Sequence, residues 1–411
     1  MTTINENARP LAVLGGLPVR PRAIESTVTI GIEARREIAD LLDDGNLSVW
    51  HGGPYSRRFE QAFAAHHGPE FHAVAVNSGT SALHLALAAA GVGPGDEVII
   101  PAACYVSAAT AAVQLGAIPI ICDIDVDTLV MDVDAAAALI GPATKAVLPV
   151  HLWGYPVDVA RLRTLCDDAG VALIEDTSQA PGTRVGNLKA GMYGDYATYS
   201  FAFRKHVSTG DGGMVLTKDE AAATRIRELA NVGKGPGWED YYSLGYSYRM
   251  VEFSAIVGRH GLTDLDSEIA RRREAAQIYR ETLAGTGLEP AREPDWGECS
   301  YFKLPIVMPA GSQHHREFLV EAVSAENVSC KVPHPALWQV PWLADYLRSH
   351  ARYRGAEECP AAAGVLNRTF EVETGPHLPV HEAQASAEAV LRVWQHICDS
   401  ASMSTSPERM R

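Results

Sequence analysis

The chain has 411 residues, of which 47% are hydrophobic and 21% charged, a composition typical of a compact folded protein and not of a disordered one. Its formal net charge of -15 argues against a general affinity for nucleic acids or anionic membranes. No apolar run approaches the length of a bilayer-spanning helix, the N-terminal sequence lacks the pattern of a signal peptide, and we expect a cytoplasmic protein.

Up to about residue 265 the sequence alternates apolar strand-like runs with helical patterns. This alternation predicts an α/β fold with a mostly parallel central sheet covered by helices on both faces. A long charged helix, beginning near residue 264, then marks a change of pattern. We therefore expect a large domain of residues 1–265 and a smaller C-terminal α+β domain of residues 266–411.

A short polar loop links the first strand-like run to an Ala- and Leu-rich helix in NSGTSALHLAL, residues 77–87. Backbone N–H groups and the hydroxyls of Thr80 and Ser81 would point to one spot, which suits a phosphate group. Ser, Thr and Asn are also common helix caps, so this motif alone would favour capping.

Two adjacent carboxylates, Glu175 and Asp176, end a later apolar strand in LIEDTSQA, residues 173–180. Because side chains alternate along a strand, we expect the two to face opposite sides, and only one can reach a given ligand. A carboxylate in this place could equally cap a helix or face solvent.

Lys205 follows the apolar run YATYSF, residues 196–201, and a polar loop leads from it to the strand GMVLT. Nearby aromatic groups and the adjacent Arg204 would lower the proton affinity of its amine, which makes a lysine nucleophilic towards carbonyl groups. The alternative is a surface lysine whose amine reaches solvent.

Together these features fit pyridoxal 5'-phosphate (PLP), which needs an anion cradle, a carboxylate beside its pyridine nitrogen and a lysine for covalent attachment. The three occur in the order Thr80, Asp176, Lys205. No histidine has the spacing of a zinc site, and the seven scattered cysteines are expected to be reduced, so no metal is expected.

The sequence resembles the DegT-type sugar aminotransferases, a PLP-dependent family of fold type I, over nearly the whole chain. SFAFRKHVSTGDGG, residues 200–213, matches the family's lysine motif S-F-x-x-x-K-x-x-[ST]-x-G-[ED]-G-G without a gap. EDTSQA, residues 175–180, and GYSYRMVE, residues 245–252, resemble two further family motifs and follow in the family's order.

The resemblance implies a role for each residue that matches a motif. Lys205 would hold PLP and then carry the proton, Asp176 would pair with the pyridine nitrogen, and Gln179 would contact the phenolic oxygen. The residues that would bind the phosphate are Gly79, Thr80, Ser81 and Ser200. Tyr105 would stack on the cofactor ring, which makes Cys104 its neighbour and not a catalyst.

Two positions depart from the family pattern. Ser247 stands where most relatives have an asparagine that the partner subunit contributes to the phosphate, and Arg204 is bulkier than the usual residue before the lysine. The resemblance also implies a homodimer with shared active sites, because the loop containing Ser247 has no partner in the local pattern. His51 could lie near the substrate, or could be an ordinary solvated loop residue.

The function implied is an aminotransferase that moves the amino group of L-glutamate or L-glutamine to a keto-sugar or keto-cyclitol in a specialised-metabolite pathway. The N-terminal LAVLGGLPVRPR resembles the cyclitol and aminoglycoside branch more than the nucleotide-sugar branch. Two alternatives stay open: a PLP-dependent sugar dehydratase, although such relatives carry histidine in place of Lys205, and a PLP- or sugar-binding regulatory protein without turnover.

Overall fold

A computed structural model describes residues 10–24, 30–50, 52–235, 237, 240–375 and 378–404, with side chains to residue 400. His51 lies outside the described residues. Across these ranges, no helix combines the length and the apolar character needed to cross a membrane.

The larger part of the chain is built on short, almost fully buried apolar strands. In chain order the first nine strands are β1 (His72–Val76), β2 (Glu97–Pro101), β3 (Ile118–Cys122), β4 (Thr144–Val147), β5 (Ala172–Asp176), β6 (Arg184–Val185), β7 (Leu188–Lys189), β8 (Tyr196–Ser200) and β9 (Gly213–Thr217). All but β6 and β7 form one seven-stranded sheet in the order β1-β9-β8-β5-β4-β2-β3, in which only β9 runs antiparallel to its neighbours. This confirms the predicted mostly parallel α/β sheet, since strands buried on both faces read as continuous apolar runs.

The strand register brings three strand ends to one level of the sheet. Asp176, the last residue of β5, is paired with Thr198 of β8. The end of β8, Ser200, is paired with Gly213 of β9, which also faces the end of β1 at Val76. The loops that leave β1, β5 and β8 therefore start side by side, at the edge where parallel sheets bind ligands.

The helices pack around this sheet and around the C-terminal part of the chain. They are α1 (Ile32–Asp44), α2 (Pro54–His67), α3 (Gly79–Ala89), α4 (Ser107–Gln114), α5 (Val133–Leu139), α6 (Val159–Ala169), α7 (Glu220–Ala230), α8 (Glu252–Thr263), α9 (Leu265–Leu283), α10 (Arg316–Ala325), α11 (Pro341–Ser349), α12 (Pro360–Leu366) and α13 (Val380–Ser404). Several begin where the sequence offers a cap: the Asp132, Asp158 and Asp219 carboxylates accept N–H groups of α5, α6 and α7. Helix α3 packs against β1, β5, β8 and β9, so its first turn lies over the aligned strand ends.

The C-terminal part forms a second, smaller sheet. Its strands, in chain order, are β10 (Glu289–Pro290), β11 (Gly297–Glu298), β12 (Lys303–Val307), β13 (Cys330–Lys331) and β14 (Thr369–Glu373). Four of them make an antiparallel sheet in the order β10-β12-β14-β13, whereas β11 pairs with β6 and so joins the two parts of the chain. The division into domains at residue 265 stays a prediction. That residue is the first of α9, which packs against α13.

Candidate active site

The first turn of α3 forms a close cradle against the end of β8. A Cβ atom on Gly79 would lie 2.7 Å from the Cβ of Ser200, so only glycine fits without displacing that strand. Ser78 is the cap of α3, because its hydroxyl accepts the N–H of Ser81 at 3.1 Å. The motif of residues 77–87 thus does contain a helix cap, which is Ser78. Thr80 is instead oriented by a 2.8 Å hydrogen bond between its hydroxyl and that of Ser107.

Glu175 is a fully buried carboxylate that supports the neighbouring loop. It accepts the backbone N–H groups of Gly191, Tyr193 and Gly194 at 2.7–2.9 Å, and the Nε2–H of His151 at 3.1 Å. The Nδ1 atom of this histidine accepts the N–H of Val157, which fixes the proton on Nε2. Every acceptor contact of Glu175 is therefore with protein groups, and its role is structural.

Asp176 faces the opposite side, as the alternation along a strand predicts. Its Oδ1 accepts the N–H of Ser178 at 2.9 Å. Burial raises the pKa of the Cys104 thiol, and the negative charge of Asp176 raises it further. Cys104 is buried and its thiol is held in the protonated form, so it is not a nucleophile. Asp176 is the carboxylate left to meet a ligand at the strand ends.

The Lys205 amine lies against an aromatic ring from the C-terminal part of the chain. Its Nζ is 4.5 Å from the centre of the Phe302 ring. Burial lowers its pKa from 10.5 to about 8; the negative charge of Asp176 opposes this shift and the positive charge of Lys303 adds to it. A solvated surface lysine is therefore the wrong interpretation of this residue, and Asp176 and Lys205 interact electrostatically in one site.

Arg204 points away from the lysine that follows it. Its backbone is left-handed, with φ of 71°, and its guanidinium forms an ion pair with Glu373 of β14 at 2.8 Å. The bulky residue before the lysine is thereby bound to the second sheet, and consecutive side chains diverge to separate partners.

Tyr105 and Gln179 lie on loops at the same strand ends. Tyr105 is half exposed, and its ring packs edge-on against that of His334, with 5.0 Å between the ring centres. The Oε1 atom of Gln179 accepts the backbone N–H of Trp153 at 2.8 Å. Their contacts with a cofactor stay predictions, as do those of Gly79, Thr80, Ser81 and Ser200.

The sequence analysis missed a group of residues that the second sheet and one turn of the large sheet bring to this site. They are Trp153, Phe302, Lys303, His334 and Glu371. The Glu371 carboxylate binds the Lys303 amine and accepts the Trp153 indole N–H at 2.7 Å. A lysine and a glutamate inside the apolar strands KLPIV and TFEVE are the one signal that could have found two of them, since buried charges need partners.

The loop that contains Ser247 contacts its own chain, contrary to the expectation that it has no local partner. Ser247 pairs with Asn231 in an isolated bridge, and its hydroxyl accepts an N–H of Arg249 at 3.2 Å. The carbonyl of Tyr248 accepts the N–H of Asn77, directly before the α3 cradle. Ser247 itself is exposed, so it is available to a second molecule.

Comparison with known proteins assigns the chain to a protein family. A model of the DegT/DnrJ/EryC1/StrS aminotransferase family matches residues 29–391. The chain belongs to this family. Two named relatives are about one-third identical to the chain.

GDP-perosamine synthase of Vibrio cholerae is 35% identical over 302 residues, which are 72% of this chain and 80% of that protein. The L-glutamine:2-deoxy-scyllo-inosose aminotransferase of Streptomyces paromomycinus is 34% identical over 338 residues, 77% of this chain and 79% of that protein. The crystal structure of S. venezuelae DesV in complex with a ketimine intermediate superposes with a TM-score of 0.81 at 32% identity, covering 88% of this chain and 94% of that one.

The residues of this aminotransferase fit PLP. The Gly79 cradle leaves no room for a side chain where backbone N–H groups of α3 converge. Asp176 supplies a negative charge and Lys205 an amine of lowered pKa in the same site. An anion site, a carboxylate and a reactive amine are the three groups that PLP requires, and the enzyme is a PLP-dependent transaminase.

Proposed function

We propose that the enzyme transfers the amino group of L-glutamate or L-glutamine to a keto-sugar or keto-cyclitol, in a specialised-metabolite pathway such as aminosugar or aminoglycoside synthesis. The observation that carries this proposal is the Lys205 amine, of pKa about 8, in the same site as Asp176 at the carboxyl ends of β5 and β8. One curated relative is named for its product, GDP-perosamine, and the other for its substrate, 2-deoxy-scyllo-inosose, which supports a sugar or cyclitol substrate class.

Bound PLP supplies the electron sink that makes a proton at the reacting carbon removable. Lys205 would hold the cofactor covalently and, once released, would accept and return that proton. The burial that lowers its pKa to about 8 leaves roughly half of the amine neutral at pH 8, and a proton acceptor must be in the neutral form. Asp176 would keep the proton on the pyridine nitrogen.

The remaining site residues would bind and orient. Gly79, Thr80, Ser81 and Ser200 would hold the phosphate at the start of α3, where the helix dipole favours an anion. Tyr105 would stack on the ring. Gln179 would contact the phenolic oxygen through its NH2 group, because its oxygen already accepts the Trp153 N–H.

A homodimer with shared sites is part of the same proposal. Trp50, Tyr241, Tyr242 and Leu244 expose 51–81% of their surface beside the Ser247 loop. Exposed aromatic and aliphatic groups of this kind are typical of protein interfaces. Ser247 would then reach the phosphate site of the partner subunit. We also propose a cytoplasmic location, which fits the seven unpaired cysteines of the described chain.

Absorbance measurements on the purified protein test the reaction. L-glutamate or L-glutamine should remove the visible absorption of the bound cofactor, and an accepted ketone should restore it. Keto-cyclitols and nucleotide-linked keto-sugars would be compared in the second step. Cofactor absorption that neither amino acid changes would favour a binding protein without turnover.

A further inference from the structure

Trp153 occupies an unusual turn, residues Leu152–Gly154, in the segment between β4 and α6. Its backbone is left-handed, with φ of 56° and ψ of 8°, a conformation that non-glycine residues rarely adopt. The next residue, Gly154, has no room for a side chain, because a Cβ atom there would lie 2.7 Å from the backbone nitrogen of Tyr301. Trp153 itself is buried, so the turn is fixed by contacts and not by solvent.

The second sheet and the segment that leads into β12 make most of these contacts. The N–H of Phe302 donates to the Trp153 carbonyl at 2.8 Å, and the N–H of Ser300 donates to the Gly154 carbonyl at 3.1 Å. The indole Nε1–H of Trp153 donates to Oε2 of Glu371 at 2.7 Å. The other oxygen of Glu371 binds the Lys303 amine, which orients the carboxylate.

On its opposite side the same turn holds one residue of the cofactor site. The backbone N–H of Trp153 donates to Oε1 of Gln179 at 2.8 Å. An amide whose oxygen is engaged in this way can offer only its NH2 donors to the cleft. The hydrogen-bonded series Glu371, Trp153, Gln179 therefore runs from the second sheet to the large sheet.

We propose that Trp153 is a positioning residue. It transmits the orientation imposed by Glu371 to the Gln179 amide and so sets the hydrogen bond from that amide to the phenolic oxygen of the cofactor. The inference rests on the proposed role of Gln179. Through this series of hydrogen bonds, the second sheet would influence the absorption of the cofactor without contacting it.

The test compares two tryptophan variants that each remove one buried indole hydrogen bond. Trp153→Phe loses the bond to Glu371, and Trp394→Phe loses a 2.9 Å bond to the Thr286 carbonyl in the C-terminal part of the chain. Both variants should still attach PLP to Lys205, and borohydride reduction followed by peptide mass spectrometry would check this. The absorption band of bound PLP, its pH midpoint and the split between kcat and KM are then measured.

Trp153→Phe should shift the band and its pH midpoint in the same direction as Gln179→Ala, and lower kcat by about tenfold with little change in KM of the amino donor. The double variant Trp153→Phe/Gln179→Ala should shift the band no further than Gln179→Ala alone, because both act through one contact. Trp394→Phe should keep the wild-type spectrum. A wild-type spectrum in Trp153→Phe, or shifts that add in the double variant, would overturn the proposal.

A second pair of variants covers the case in which Trp153→Phe does not fold. Glu371→Gln keeps an acceptor for the indole, whereas Glu371→Leu removes it. A larger spectral shift in Glu371→Leu supports the proposal, and equal spectra contradict it. Wild-type protein that binds no PLP would refute the proposed function itself, and this inference with it.

Discussion

At the scale of single residues, the site depends on how neighbouring side chains diverge. Arg204 binds Glu373 while Lys205 lies on the Phe302 ring, and Glu175 supports a loop while Asp176 faces the site. In each pair one member is structural and the next one is available for chemistry. Substituting one member of a pair should therefore lower stability, and substituting the other should lower turnover.

Lys205→Ala should abolish covalent attachment of PLP and lower the turnover rate by a factor on the order of 100–10,000, because the proton carrier is lost. Borohydride reduction of the wild type, followed by peptide mass spectrometry, should place the label on Lys205. Lys189→Ala is the matched control, since Lys189 is also partly buried, with its amine bound to the His66 carbonyl. Label on Lys189 or Lys234 would contradict the assignment.

The lowered pKa of Lys205 has a predictable effect on stability. Between about pH 8 and the ordinary value of 10.5, the unfolded chain carries a proton on this amine that the folded, cofactor-free protein does not. Stability should therefore rise with pH across this window, and below it the penalty for burying the charged amine is constant. The urea midpoint of the cofactor-free wild type, measured against that of Lys205→Met from pH 7 to 10, checks the sign. A difference that falls with rising pH would refute it.

The two carboxylates at the end of β5 should respond in opposite ways. Asp176→Asn should keep part of its PLP affinity but lower the turnover rate by about 100-fold or more, because the neutral amide no longer favours a protonated pyridine. Glu175→Gln should chiefly lower the denaturation midpoint, since it weakens three backbone hydrogen bonds to the loop of residues 191–194. Near-normal turnover of Asp176→Asn alongside an inactive, stable Glu175→Gln would show that Glu175, and not Asp176, acts on the cofactor.

At the scale of secondary-structure elements, the exposed edge of the large sheet is closed by side chains. Strand β1 is an edge strand, and Oε1 of Glu60 on α2 accepts its Ala75 N–H at 2.9 Å. Arg227 on α7 donates to the Ala73 carbonyl and pairs with Glu60 at 3.0 Å. These contacts occupy backbone groups that could otherwise pair with another chain.

Glu60→Ala should destabilise the protein by about 1–3 kcal/mol, because the buried Ala75 N–H loses its acceptor. It should also increase aggregation on mild heating. Chemical denaturation and light scattering measure the two effects. Glu33→Ala is the control: it breaks the ion pair with Arg36, whose side chains are 64% and 68% exposed, and should change stability by less than about 1 kcal/mol. Equal effects in both variants would show that Glu60 does not protect the edge.

The elements could be predicted where the sequence pattern is local. Continuous apolar runs indicated the buried strands, and the lysine motif located Lys205 between β8 and β9. The neighbours of Lys205 in the second part of the chain could not be predicted, because Phe302 and Lys303 lie directly before and at the start of β12, whose position is set by tertiary packing. The support role of Glu175 was hidden for a similar reason, since its donors lie in an irregular segment.

At the scale of the whole molecule, the site is formed where the two sheets meet, and the proposed dimer would add a third contribution. If Ser247 and Arg249 reach the partner's phosphate site, Lys205→Ala and Arg249→Ala should complement each other in mixed dimers. Half of the randomly mixed dimers are hybrid, and each hybrid has one intact site of two, so activity should recover to about one quarter of wild type. Steady-state assays after co-refolding measure this recovery. Mixtures that exchange subunits without recovery would refute shared sites.

The pairing of β1 with β9 has a consequence for how the enzyme is made. Residues 72–76 meet residues 213–217, so closing this edge joins segments separated by roughly 140 residues of chain, a high contact order that slows folding. The α3 cradle follows β1 directly, whereas Ser200, against which it packs, lies on the strand before β9. A ribosome-bound chain that has not yet released β8 and β9 thus lacks Ser200 and has an open β1 edge, so its phosphate cradle is incomplete.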